Sequence, residues 1–116
     1  DVVFCNHVLE HVQDDIRACS EFNRVLKPDG WGILQSPVYP IENTLEDNTI
    51  TDTVERERIF GQRDHVRKFG KDYAERLRKS GIKIEENQFV KEISSEVVKQ
   101  NALPREEVIF VCRKGA

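Results

Sequence analysis

The chain has 116 residues, enough for one small domain and too few for two. Apolar residues make up 38% and charged residues 34%, with a formal net charge of -3, so neither a nucleic-acid backbone nor an anionic membrane surface is expected as a partner. No apolar run approaches the roughly 20 residues of a bilayer-spanning helix, no signal-peptide pattern opens the chain, and a cytoplasmic location is expected.

The first element is a continuous apolar run, Val2-Val3-Phe4-Cys5, as expected of a parallel strand covered on both faces. The chain starts directly on this strand and contains no Met, so residue 1 is expected to be a cut inside a longer protein. A polar break at Asn6-His7 follows. From about Asp14 to Lys27 the apolar residues Ile16, Cys19, Phe22, Val25 and Leu26 recur every three or four positions, which predicts a helix with one buried stripe. Asp14 and Asp15 stand at its start, where a carboxylate caps free N–H groups and meets the positive end of the helix dipole. Lys27-Pro28-Asp29-Gly30 stops it. Trp31 to Val38 is a second strand ending at Pro37, and a strand–helix–strand unit of this size makes the two strands parallel.

Residues 39–69 form a long polar insert, a length that is uncommon inside compact domains and often functional, with a short helix expected around 52–59. Asp72 to Lys79 reads as a helix turning Tyr73, Ala74 and Leu77 inward, closed by Ser80-Gly81. Ile82 to Glu86 alternates as a half-buried strand does. A short helix is expected within 94–99, and Glu107 to Arg113 is a strong strand. The last two strands are too poorly separated by helix for a parallel crossover, so an antiparallel pair is expected. The fold class is therefore α/β, one partial domain divided into 1–38, an insert at 39–69, and 70–116. Cys5, Cys19 and Cys112 are odd in number and lie in apolar contexts, as small buried hydrophobes do, rather than in a disulfide or metal pattern; a reducing compartment fits them.

Three stretches carry a family resemblance. They are Asp1-Val2-Val3-Phe4-Cys5-Asn6-His7-Val8-Leu9-Glu10-His11-Val12, Glu21-Phe22-Asn23-Arg24-Val25-Leu26-Lys27-Pro28-Asp29-Gly30-Trp31, and Phe60-Gly61-Gln62-Arg63-Asp64-His65-Val66-Arg67. The first two resemble the second half of class I S-adenosylmethionine-dependent methyltransferases, most strongly the type 11 group, and the third is similar to a segment of one bacterial subset. Asp29 departs from the Gly often found there. The resemblance implies a Rossmann-like sheet of seven strands with an antiparallel last strand. Residues 1–6 would be its fourth strand, 31–38 the fifth, 82–86 the sixth and 107–113 the seventh. Strands one to three would be missing, and with them the Gly-rich loop and the acidic ribose ligand. S-adenosylmethionine is the implied cofactor, not expected to bind these 116 residues alone. Asn6, His7 and Val8 would border its methionine part, since open α/β sheets bind ligands beyond the carboxyl ends of their strands.

The same residues admit other readings. His7-Val8-Leu9-Glu10-His11 spells H-x-x-E-H, the inverted zinc-peptidase signature, but a helix starting so soon after the strand is unexpected and no third ligand stands out, so a zinc hydrolase is disfavoured and no metal ligand is assigned. His11 either packs at the base of the helix or faces substrate, and Glu10 is expected to be a helix-start carboxylate. Glu21 and Arg24 are expected to form an i,i+3 ion pair. In the insert, Arg56, Arg58, Arg63 and Arg67 read mainly as a solvated charge run. Gln62 and Asp64 are candidate acceptor contacts, and His65, with His11, is the candidate base, imidazole being the group that titrates near neutrality. The expected activity is methyl transfer to a small-molecule acceptor. The alternative from another class is a non-catalytic interaction module or homodimer using the exposed edge of strand 2–5.

Overall fold

The structure is a computed structural model in which residues 1–115 are described. In chain order the elements are β1 (Val2–Asn6), α1 (Asp15–Val25), β2 (Trp31–Gln35), β3 (Leu45–Glu46), α2 (Thr53–Phe60), β4 (Arg67–Lys68), α3 (Tyr73–Arg78), β5 (Lys83–Asn87), a single 3-10 turn (Phe89–Glu92), α4 (Ser95–Gln100) and β6 (Ile109–Arg113). The main sheet runs β1-β2-β6-β5. β1 and β2 are parallel, as the crossover rule requires, and β6 is antiparallel to both β2 and β5. The last strand thus returns to the middle of the sheet. It separates β5 from β2, an order that no local pattern specifies. The short strands β3 and β4 pair antiparallel in the insert.

Capping explains the helix ends. The Asp14 side chain accepts a hydrogen bond from the Arg17 N–H, Asp52 does the same for Glu55 at the start of α2, and Ser94 for Val97 at the start of α4. Past the end of α1, the Lys114 ammonium donates to the carbonyls of Asn23 (2.8 Å) and Leu26 (2.8 Å), a cation on the negative end of the helix. β2 stops at Gln35 rather than Val38. Pro37 has no N–H to give a sheet, and Val38 rejoins the backbone only through an isolated parallel bridge to Phe69.

The strand register divides the sheet into two faces. Val3, Cys5, Gly32, Leu34, Ile84, Phe110 and Cys112 share one face, and all but Val3 and Gly32 belong to the buried core cluster with Cys19, Leu26, Tyr73 and Leu77 from the helix side. α1 and α3 touch each other over this face. All three cysteines are buried and unbridged, as expected. Gly32 is required here: a Cβ would fall 2.4 Å from the Val3 carbonyl oxygen and 2.9 Å from Cys112 Sγ. The other face carries Val2, Phe4, Trp31, Ile33, Ile109 and Val111. No described helix is long and apolar enough to cross a membrane.

One residue departs sharply from expectation. Arg67, read as part of a solvated run, is 0% exposed. Its guanidinium donates to the carbonyls of Leu9, Val12 (2.6 Å) and Gln13 (2.9 Å) and to Glu46 Oε1 (3.0 Å). Beside it Arg76 grips Asp15 (2.6 and 3.0 Å) and Glu46 (2.7 Å). Asp15 is accordingly an internal anion joining α1 to α3, not merely a dipole-matching residue. Two cations balance two carboxylates, which is the condition under which buried charge is tolerated. The exposed arginines behave as expected: Arg58 pairs with Glu55, Arg63 with Glu57 and Arg24 with Glu21.

Candidate functional site

Beyond the carboxyl ends of β1 and β2 lies a cavity of about 600 Å³ bordered by His7, Ser36, Val38, Tyr39, Tyr73 and Phe110. Its floor is fixed by Gln35. The Gln35 amide donates to Glu107 Oε1 (3.0 Å) and the Val108 carbonyl (2.6 Å), while its oxygen accepts from the Phe110 N–H (3.1 Å). One side chain thereby ties β2 to the start of β6. The Tyr73 hydroxyl donates to the Leu34 carbonyl (2.8 Å), and the ring stacks edge-on with Phe69 and Phe110. Burial pushes its phenol far above the ordinary range, so Tyr73 is a fixed wall and not a base. Lys68 Nζ lies 4.4 Å from the centre of the Tyr39 ring and steadies it. Ser36 Oγ is buried beside the Tyr73 hydroxyl. The arrangement can hold a small molecule between aromatic walls and orient it by a few hydrogen bonds.

The residues expected to form the site fall into two groups. Asn6, His7 and Val8 are exposed at the end of β1, and His7 adopts a left-handed backbone with φ 55°. Its N–H donates to the Gln35 carbonyl at 2.8 Å, which puts it at the cavity mouth. Residues 8–13 are turns rather than helix, so the H-x-x-E-H spacing does not set two imidazoles on one helical face. For the same reason Glu10 is no helix-start carboxylate. It is 2% exposed, and both of its oxygens lack a hydrogen-bond partner.

Gln62, Asp64 and His65 do not border the cavity. Their loop packs on the turn after β1, where the Val66 N–H donates to the Glu10 carbonyl (2.9 Å) and His11 Nδ1 sits 3.2 Å from the Asp64 carbonyl oxygen. Gln62 and Asp64 are exposed, whereas His65 is only 3% exposed and meets the His11 ring edge-on at 4.7 Å. The sequence reading missed Ser36, Tyr39 and Tyr73 as cavity residues. It also missed the signal at His65, Arg67 and Phe69, whose alternating burial is strand-like but hidden by the polarity of the first two.

Comparison with known proteins agrees with the resemblance on two counts. Residues 1–34 match the profile of a family described as a methyltransferase domain, type 11. No curated protein matches the chain. Among solved structures, a candidate methyltransferase from Bacillus halodurans C-125 shares the fold with a TM-score of 0.54 at 19% identity. The match covers 99% of this chain and 64% of that one, so the chain spans less than two thirds of its structural relative. The mixed sheet with flanking helices is similar in fold to that structure and consistent with part of a Rossmann-like domain.

Proposed function

We propose that the chain supplies the carboxyl-side half of an S-adenosylmethionine-dependent methyltransferase acting on a small-molecule acceptor. The observation that carries this reading is the cavity beyond the carboxyl ends of two parallel strands, in a sheet whose last strand is antiparallel; open α/β sheets place ligands at that end. The chain's residues fit one side of the cofactor. The exposed strand end at Asn6-His7-Val8, with its left-handed turn, leaves short polar and backbone groups free to border the methionine part. Bound cofactor would bring a methyl group on a sulfonium.

The chain's own part is to hold the acceptor, with Tyr39, Tyr73 and Phe110 as walls. Holding donor and acceptor in line is the main requirement of methyl transfer, and a base is needed only for a poor nucleophile. In this reading Gln62 and Asp64 lie outside the acceptor cavity.

The 116 residues alone should show no measurable S-adenosylmethionine binding by calorimetry, because they offer no Gly-rich loop after a first strand. Joined to N-terminal strands that complete the sheet, the chain should bind it. There Val38→Trp, which fills the cavity from a half-open position, should block transfer of tritiated methyl and spare cofactor binding. Absence of cofactor binding by the completed sheet would sink the reading.

A second reading rests on a separate observation. β1 is an edge strand with Val2 57% and Phe4 70% exposed, and such an edge invites pairing with another chain. It supports a dimer or interaction module. A clean monomer by light scattering at high concentration would count against it.

A further inference from the structure

We propose that Glu10, His11 and His65 bind one divalent transition-metal ion, zinc foremost, which clamps the turn after β1 to the loop before β4. One ligand atom from each residue lies within 4.8 Å of the other two. Ligands on a tetrahedral zinc stand about 3.4 Å apart, given bonds of roughly 2.0–2.1 Å, so the group needs tightening and not rebuilding. The site shares Glu10 and His11 with the H-x-x-E-H string but takes His65 from a distant loop in place of His7.

The hydrogen bonding argues for a cation. The Asp64 carbonyl can only accept, so an N–H at His11 Nδ1 suits it at 3.2 Å, with Asp64 Oδ2 at 3.4 Å from the same nitrogen. His11 Nε2 faces Glu10 Oε1 at 3.5 Å, and on a neutral ring protonated at Nδ1 it bears a lone pair. Both Glu10 oxygens are buried without a partner. On a neutral His11 ring two acceptors therefore face each other, with the Glu10 oxygens shielded from water and the His11 side chain 31% exposed, and either a proton or a metal ion would join them. An imidazole that donates its far N–H to a carbonyl while its near nitrogen is free is the usual outer support of a metal ligand. Two imidazoles and one carboxylate suit zinc and its neighbours better than magnesium or calcium. Three protein ligands leave a fourth position open.

The clamp adds to bracing already present. Arg67 holds the carbonyls of Leu9, Val12 and Gln13, and the Val66 N–H holds that of Glu10. The metal would bind the same turn from the opposite, unbraced side chains. This inference stands apart from methyl transfer and does not depend on it.

The test uses the 116-residue chain stripped of metal and titrated with Zn2+ and, as a visible probe, Co2+. One metal per chain is expected by elemental analysis. The Co2+ form should show ligand-field bands without the intense thiolate absorption that cysteine ligands give. His11→Gln, His65→Gln and Glu10→Gln should each weaken Co2+ binding by more than the roughly 10–100-fold that loss of an outer-shell partner costs. Glu10→Gln guards against misreading an unfolded variant. It keeps the shape of a buried side chain whose oxygens have no partner, so it should melt close to metal-free wild type while losing the metal. Failure of the stripped wild-type chain to take up stoichiometric Zn2+ or Co2+ overturns the proposal, as does binding unchanged in all three variants; a proton would then be what joins Glu10 to His11.

Discussion

The two faces of the main sheet are made from the same strands, yet they differ in almost every physical respect. On one, Cys5, Leu34, Phe110 and Cys112 pack against α1 and α3 and are almost wholly removed from water. On the other, Val2, Phe4 and Trp31 are exposed, with Lys83, Glu85 and Arg113 at the far side. A strand with one wet face normally alternates apolar and polar residues, while a strand covered twice reads as an unbroken apolar run. β1 reads as the second kind and is covered as the first. An apolar stripe of this sort is a surface built to be covered, which the proposed methyltransferase reading requires and an isolated one-layer domain does not.

The comparison predicts unequal costs for unequal places. The largest belongs to the brace on the covered side: Arg67→Ala leaves three carbonyls without this donor and Glu46 with Arg76 alone, and should cost about 3–5 kcal/mol, the range for breaking a buried ion pair. Urea unfolding should show this as a fall in midpoint, and a change below about 1 kcal/mol would mean the network holds nothing together. Next, Leu34→Ala on the covered face should cost about 2–5 kcal/mol, and Ile33→Ala, its immediate neighbour on the open face, less than half as much. Equal losses would erase the distinction between the faces. Gly32→Ala comes third. Its Cβ would press on the Val3 carbonyl, and the resulting strand shift should cost roughly 1–3 kcal/mol.

Much of this architecture is legible in the residues themselves, where the physics is local. The three- and four-residue spacing from Ile16 to Leu26, the cap at Asp14 and the inward set Tyr73, Ala74 and Leu77 depend on neighbours within one turn. The parallel pairing of β1 with β2 follows from chirality. Sheet order is different, because placing β6 between β2 and β5 depends on pairing Ile33 with Val111, a contact across most of the chain, as well as Glu85 with Val111. Arg67 was opaque for the same reason: its partners Leu9, Val12 and Gln13 lie 54 to 58 residues away. The strand end at Asn6-His7 could be placed from the pattern. Ser36, Tyr39 and Tyr73 become one cavity wall only when α3 folds back over β2, and the loop of Gln62 to His65 turns toward His11 instead.

A smaller effect distinguishes the faces by pH. Burial, the leading cause in each case, pushes the thiols of Cys5 and Cys112 up to about 11 and that of Cys19 up to about 12, from 9.0. The folded state therefore holds these protons more tightly than the unfolded state does. Their contribution is complete below pH 9.0 and is lost as pH rises through about 11 to 12. Unfolding midpoints should fall between pH 8 and pH 10.5, and Cys5→Ala with Cys112→Ala should flatten that slope even though each variant starts less stable. At pH 8 the native thiols should resist a disulfide reagent that labels them at once in urea. A slope unchanged by the double variant would show that other groups set the alkaline limit.

The smallest effect on stability should come from the open face, and it is also the most informative about it. Phe4 already meets water, so Phe4→Lys removes little buried area and should shift stability by no more than about 0.5 kcal/mol. Its consequence should appear in association. A lysine on an edge strand opposes strand addition by charge and by disrupting the apolar stripe, so any concentration-dependent self-association seen by light scattering should be lost in this variant. If instead Phe4→Lys costs as much as Leu34→Ala, the ring is packed in solution and the sheet has two covered faces. If association survives unchanged, the copies meet elsewhere, and the apolar run of β1 is left for a layer other than a second copy of this chain.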